Sequence, residues 1–286
     1  MEYEDTVIVT VLHHPTRPIG CIRRTLSALD HATSRDLSVI VHIQDSTPQR
    51  TRKDFGDVPY DLTILTAEQH PGLSAPLRES LKMVLAGPAR WWMKCDDDIV
   101  LPPRGIDALI SCIEIENEIG EHDIAYAQIN GQRLGIGSTC SANPADHVGV
   151  LTKFVERPDD MPYLDYEHGS YVRREAGAVS WCVCDFVDIG CTVFDRKFLD
   201  IRGIDTIDGA YFVGGISIDL MMQAREQKKK VVFCIKPQMD HRHDDCMTQE
   251  YVKAKHNNPA HMRASGKHFM KKWGVESVRL NNVKDR

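Results

Sequence analysis

The 286-residue chain has no apolar run approaching the ~18–20 residues that a membrane-spanning helix requires. Its first residues, MEYEDTVIVTV, are acidic and then strand-like, without the basic stretch and small-residue cleavage site of a secretory leader. A soluble, cytoplasmic protein is therefore expected. An excess of positive charge is also lacking. Thirty-five Lys and Arg face 41 Asp and Glu, a net −6, which disfavours a nucleic-acid binder as a reading of the whole chain. Among the nine cysteines there is no Cys-x-x-Cys pair and no spacing of a secreted disulfide framework. Cys182 and Cys184 alternate in an expected strand, and Cys21, Cys95, Cys112, Cys191 and Cys234 stand in apolar surroundings. Buried free thiols in a reducing cytosol are the expectation. Internal repeats and Gly/Ser linkers are absent too, so the chain reads as one continuous domain.

What is present is an alternation of strand and helix patterns. Thr6 to Leu12 is apolar and β-branched, as in a strand buried on both faces. Helical spacing from Ile19 to Leu29, strands at Leu37–Ile43 and Leu62–Thr66, and a helix from Ser74 to Leu85 follow. Ala89 to Lys94 is a fourth strand, and Pro102-Pro103 opens a helix to about Glu118. This order predicts an α/β fold, a mostly parallel doubly wound sheet flanked by helices. Residues 131–179, rich in Gly, Pro, Asp and His, read as an irregular segment of loops and short strands over one sheet edge. Strand character returns over Val183–Phe194, a helix over Ile216–Gln227 and a strand over Lys230–Ile235. The expected division is a domain of residues 1–249, with halves 1–120 and 121–249, and a basic helical tail of residues 250–286. That tail carries nine basic and three acidic residues, a net +6.

Ligands of a parallel open sheet bind beyond the carboxyl ends of its strands. Asp45 and the triplet Asp96-Asp97-Asp98 both follow strands directly. Three consecutive carboxylates repel one another unless a positive charge lies among them. Mg²⁺ or Mn²⁺, with hard oxygen ligands and an affinity for phosphates, would supply it.

The segments Val7–Leu12, Gln44-Asp45-Ser46, Gly72-Leu73-Ser74-Ala75 and Trp92-Met93-Lys94-Cys95-Asp96-Asp97-Asp98 occur in the order and spacing of family 2 glycosyltransferases with the GT-A fold. The chain resembles that family over residues 6 to about 110, and again over about 185 to 243. The resemblance implies a metal-dependent enzyme that moves a sugar from a nucleotide-diphosphate sugar, UDP being the commoner choice, to an acceptor hydroxyl with inversion. Carried over residue by residue, Asp45 would bind the base or ribose, although Gln44 and Ser46 replace the family's second acid and Gly. Arg78 would lie near the donor, Asp96 and Asp97 would belong to the donor-binding acids, and Asp98 would ligate the metal. The family's Glu-Asp-x-Asp-Leu pattern is reduced here to Ile216-Ser217-Ile218-Asp219-Leu220. Asp219 would then be the base, with Asp205 and Asp208 in reserve, or merely a helix-capping acid. His241 or His243, after Pro237, would close the metal site.

Two other readings stand beside this one. A GT-A domain without turnover would bind the nucleotide sugar only. His241-x-His243-x-Asp245 has the spacing of a binuclear metallohydrolase, a reading that leaves Asp96–Asp98 unexplained. The acceptor is open among a saccharide, a lipid-linked glycan and a modified nucleobase in DNA. By the resemblance, Trp181, Tyr163, Tyr166, Tyr171, Arg173 and Arg174 lie where the family builds acceptor recognition, and they also suit ordinary packing. DNA binding through the basic tail is less favoured than a helix packing Phe269, Met270 and Trp273 on the sheet. Trp91 and Trp92 read as core.

Overall fold

The computed structural model describes residues 2–44, 50–68, 72–133, 150–156, 163–167, 173–184, 187, 189–212, 215–242, 246, 248–249, 259–274 and 278–279. Its first four long strands are β1 (Glu4–His13), β2 (Asp36–Ile43), β3 (Asp61–Thr66) and β4 (Ala89–Asp96). They are parallel, in the order β3-β2-β1-β4. The β-branched run of β1 lies in the middle of this block, where Val7, Val9 and Val11 are fully buried. The connecting helices are α1 (Ile19–Leu29), α2 (Ser74–Ala86) and α3 (Gly105–Ile119). Each turns one apolar stripe to the sheet, in α1 through Ile22, Leu26 and Leu29.

Beyond the triplet, β5 (Ile99–Val100) is a two-residue strand and β6 (Ile124–Arg133) a long one. β7 (Val150–Glu156) and β8 (Tyr163–Glu167) pair with each other. β9 (Arg173–Ala176), β10 (Val179–Cys184) and β11 (Cys191–Asp195) rejoin the main sheet. Then come α4 (Arg196–Arg202), α5 (Ile216–Glu226), β12 (Lys230–His241), α6 (Pro259–Trp273) and β13 (Val278–Arg279), the last pairing with β7. The main sheet runs β3-β2-β1-β4-β11-β6-β12-β10-β9, with β5 paired to β12. It is sandwiched between two apolar layers, α1 and α3 on one face and α2, α4, α5 and α6 on the other.

Two expectations differ from this arrangement. Val183–Phe194 is two strands, β10 and β11, separated in the sheet by β6 and β12; the apolar run there is broken by two Asp and a Gly. β6, a central strand, is not evident from the sequence because buried Gln128 and Asn130 interrupt its apolar pattern. The tryptophans are core: Trp91 and Trp92 are fully buried, and so is Trp181, whose indole donates to Glu116 at 2.7 Å. On α6, Phe269 is fully buried and Trp273 packs beside it.

Candidate active site

β1 and β4 end side by side, His13 and Asp96 closing them. A cavity of about 170 Å³ opens over these carboxyl ends, with His14, Arg17, Gln44, Lys94, Asp96 and Asp97 among its polar wall. Ile216 and Ser217, the first residues of α5, form part of the opposite side. The two halves of the chain meet here through Gly72-Leu73-Ser74. Gly72 has φ +75°, and a Cβ on it would lie 2.5 Å from the carbonyl oxygen of Phe212, so only glycine fits. Leu73 N–H donates to Phe212 O at 2.6 Å, and the Ser74 hydroxyl donates to Tyr211 O.

The three acids have three different environments. Asp96, one-third exposed, takes the Lys94 ammonium at 2.5 Å. Asp97 is buried between His13, whose Nδ1 lies 2.6 Å from Oδ2, and the Arg17 guanidinium, which donates to Oδ1. Asp98, also buried, takes the other prong of Arg17 at 2.5 Å through Oδ2, while its Oδ1 has no hydrogen-bond partner. His241 Nε2 stands 3.3 Å from Asp98 Oδ2. Burial pushes the Asp98 carboxyl up, but His241 and Arg17 outweigh it and hold it well below the usual carboxylate range.

Pairing of strands brings His241 there. β5 follows Asp98 directly and pairs with the end of β12, placing His241 opposite Ile99 and Asp240 opposite Val100. Arg242 N–H then donates to Asp98 O at 2.8 Å. Cys246 is fastened as well: Arg17 Nε donates to its carbonyl oxygen at 3.0 Å, and its sulfur forms a disulfide with Cys21 of α1. This bond corrects the expectation of a free thiol at Cys21. Cys95, Cys112, Cys182, Cys184, Cys191 and Cys234 are buried free thiols as expected.

Arg78 and Asp219 are not on the cavity wall. Arg78 reaches from α2 to the carbonyls of Ile204 and Ile207 and to Asp205, bracing the stretch before α5. Asp219 is 1% exposed, and four donors occupy its carboxylate. Tyr211 Oη and Trp273 Nε1 donate to Oδ1 at 3.1 and 2.7 Å; Gln223 Nε2 and Lys272 Nζ donate to Oδ2 at 2.7 and 2.9 Å. Asp45, His243 and Asp245 lie outside the described residues. The residues not anticipated are His13, His14, Arg17 and Lys94. A signal for the first three was present: His13-His14-Pro15-Thr16-Arg17 follows the carboxyl end of a buried parallel strand, where ligands bind.

No family profile matches the chain, and no curated protein is similar to it in sequence. Solved structures are similar in fold. A crystal structure of GalNAc-T7 with UDP, GalNAc and Mn²⁺ superposes with a TM-score of 0.58 at 11% identity, over 84% of this chain and 44% of that one. Staphylococcus aureus TarS, residues 1–349, gives 0.50 at 12% identity, over 83% of this chain and 60% of that one. The fold is GT-A. The chain thus spans under two thirds of either relative's length.

A divalent cation suits part of this site. Asp98 offers a buried carboxylate oxygen without a partner, beside an imidazole nitrogen of His241, a hard-oxygen and nitrogen pair acceptable to Mn²⁺. Among the described residues no group of three His, Cys, Asp or Glu is close enough to enclose a metal. The fit is a two-ligand half-site. No described helix is long and apolar enough to cross a membrane.

Proposed function

We propose that the chain transfers a sugar from a nucleotide-diphosphate sugar, UDP-linked by preference, to an acceptor hydroxyl. The observation that carries this reading is the cavity at the carboxyl ends of β1 and β4, walled by Asp96, Asp97 and Lys94 in a GT-A fold. The UDP and Mn²⁺ bound to GalNAc-T7 lend it support. Asp45 and Gln44, at the end of β2, are proposed to face the nucleotide, and Asp96 the ribose or the sugar. Asp98 and His241, with His243 as a further candidate, would hold Mn²⁺ or Mg²⁺. When bound, that cation neutralises the diphosphate leaving group. Lys94, paired with Asp96, brings an ammonium to the same wall.

Asp219 is the resemblance's candidate for the base of an inverting reaction. With four donors on its carboxylate, it can take a proton only after α6 withdraws Lys272 and Trp273. The geometry favours an anchoring role, in which Asp219 fixes α6 to α5 and so shapes the Ile216–Ser217 wall. A second reading, a binder without turnover, is favoured by that wall, which is apolar and hydroxylic where a carboxylate is expected.

Calorimetry with UDP, GDP, CDP and dTDP, each with Mn²⁺ and with EDTA, tests the donor assignment. One nucleotide is expected to bind with Mn²⁺ and to lose binding in Asp98→Ala. No binding of any nucleotide would overturn the transferase reading. Binding of a donor sugar without turnover across an acceptor screen would favour the binder.

A further inference from the structure

The cavity wall has a cation of its own. Arg17 lines the cavity, whereas Asp98, the carboxylate offered to a divalent metal, does not. The guanidinium spans Asp97 and Asp98 with its two terminal nitrogens, and its Nε is tied to the Cys246 carbonyl. That carbonyl belongs to a cysteine bonded to Cys21, four residues after Arg17 in sequence. The fork is therefore fixed at three points, with only 4% of Arg17 exposed.

The charges around it decide what can enter. Asp96 is matched by Lys94. Asp97 and Asp98 carry two negative charges against the one of Arg17, with the imidazoles of His13 and His241 beside them, so an incoming dication meets at most a single net negative charge. Two buried carboxylates would attract that dication far more strongly if they faced it alone. Bound beside Arg17, the dication would leave an excess of positive charge, which a diphosphate neutralises.

We propose that Arg17 is the resident counter-ion of the acidic triplet and a positioning residue for the metal. It keeps the divalent cation weakly bound to the free protein and makes tight uptake depend on a diphosphate arriving with it. The inference rests on the donor reading above and concerns the same site.

The test is Mn²⁺ binding followed by the loss of the free-ion electron paramagnetic resonance signal beyond that caused by the same UDP concentration without protein, on the full chain with its disulfide intact. Wild type is expected to bind Mn²⁺ alone weakly and at least about tenfold more tightly with UDP present. Arg17→Met is expected to raise the affinity for Mn²⁺ alone at least about tenfold and to remove most of the UDP effect. Arg17→Lys keeps the buried charge but cannot span both carboxylates. It is expected to raise the affinity less, about threefold, and serves if Arg17→Met does not fold. Asp98→Asn should abolish Mn²⁺ binding in every background.

A merely structural arginine would not produce a gain in affinity on removal. Unchanged or weaker Mn²⁺ binding in both Arg17 variants overturns the proposal, as does tight binding of Mn²⁺ by wild type without UDP. Failure of the donor reading looks different: wild type then binds neither UDP nor Mn²⁺ with UDP, while the arms with Mn²⁺ alone still report on Arg17.

Discussion

His42, near the end of β2, is buried with its Nε2 unpartnered, and burial lowers its pKa from 6.5 to about 4. An unfolded chain protonates this imidazole near pH 6.5, whereas the folded chain does not until about pH 4. Stability therefore falls as pH drops through that window, by up to about 3 kcal/mol. His42→Met, similar in size and unable to titrate, should flatten the midpoint of thermal unfolding between pH 6.5 and 4. An unchanged slope would place the acid sensitivity elsewhere. Gly72 gives a second single-residue expectation: Gly72→Ala must adopt a positive φ and displace the Phe212 carbonyl. A loss of about 1–3 kcal/mol in a denaturant titration is expected. The sequence displays Gly72 only as a letter in a resembling motif. Its reason, the backbone of a residue 140 positions away, is a tertiary fact.

At the level of elements, strands with continuous β-branched runs and helices with one apolar stripe are legible from sequence, as β1 and α1 show. β6 is not, because a strand walled in by two others can bury Gln128 and Asn130 without exposing an alternation. The role of Asp219 is equally hidden, since two of its four donors, Lys272 and Trp273, come from α6. Asp208 joins the same clamp, accepting from His268 and Lys272 at 2.9 Å each. Burial opposes ionisation of Asp208, but His268, the Ala210 N–H and Lys272 outweigh it and hold its pKa below the usual value. Its contribution is thus complete above about pH 4 and is lost as pH falls further. Lys272→Met should lower stability by about 2 kcal/mol, since it strips a charge partner from buried Asp219. Asp219→Asn separates two roles: an anchor loses thermal stability and α6 protection in hydrogen exchange, whereas a base loses turnover with donor binding and stability kept.

For the molecule as a whole, the acidic triplet and its place at a sheet edge could be anticipated from sequence, because strand alternation orders the sheet. The Cys21–Cys246 pairing could not, because spacing carries no information about residues 225 apart. Closing so long a loop stabilises the folded state by up to about 5 kcal/mol in a chain-entropy account. Reduction, or Cys21→Ser, is accordingly expected to lower the thermal midpoint by several degrees. Intact mass after alkylation under native and reducing conditions would verify the bond. An unchanged midpoint would mean that the packing of α1 on β5 and the pairing of β5 with β12 hold the two segments together without the bond. The bond also turns most of the polypeptide into a covalent ring. A protease that cuts once anywhere between Cys21 and Cys246 releases no fragment, and the nicked protein migrates as a single species until a thiol is added. Two pieces that fold around one sheet could then be exchanged between molecules only after reduction, so the chain keeps its own halves even when its backbone is broken.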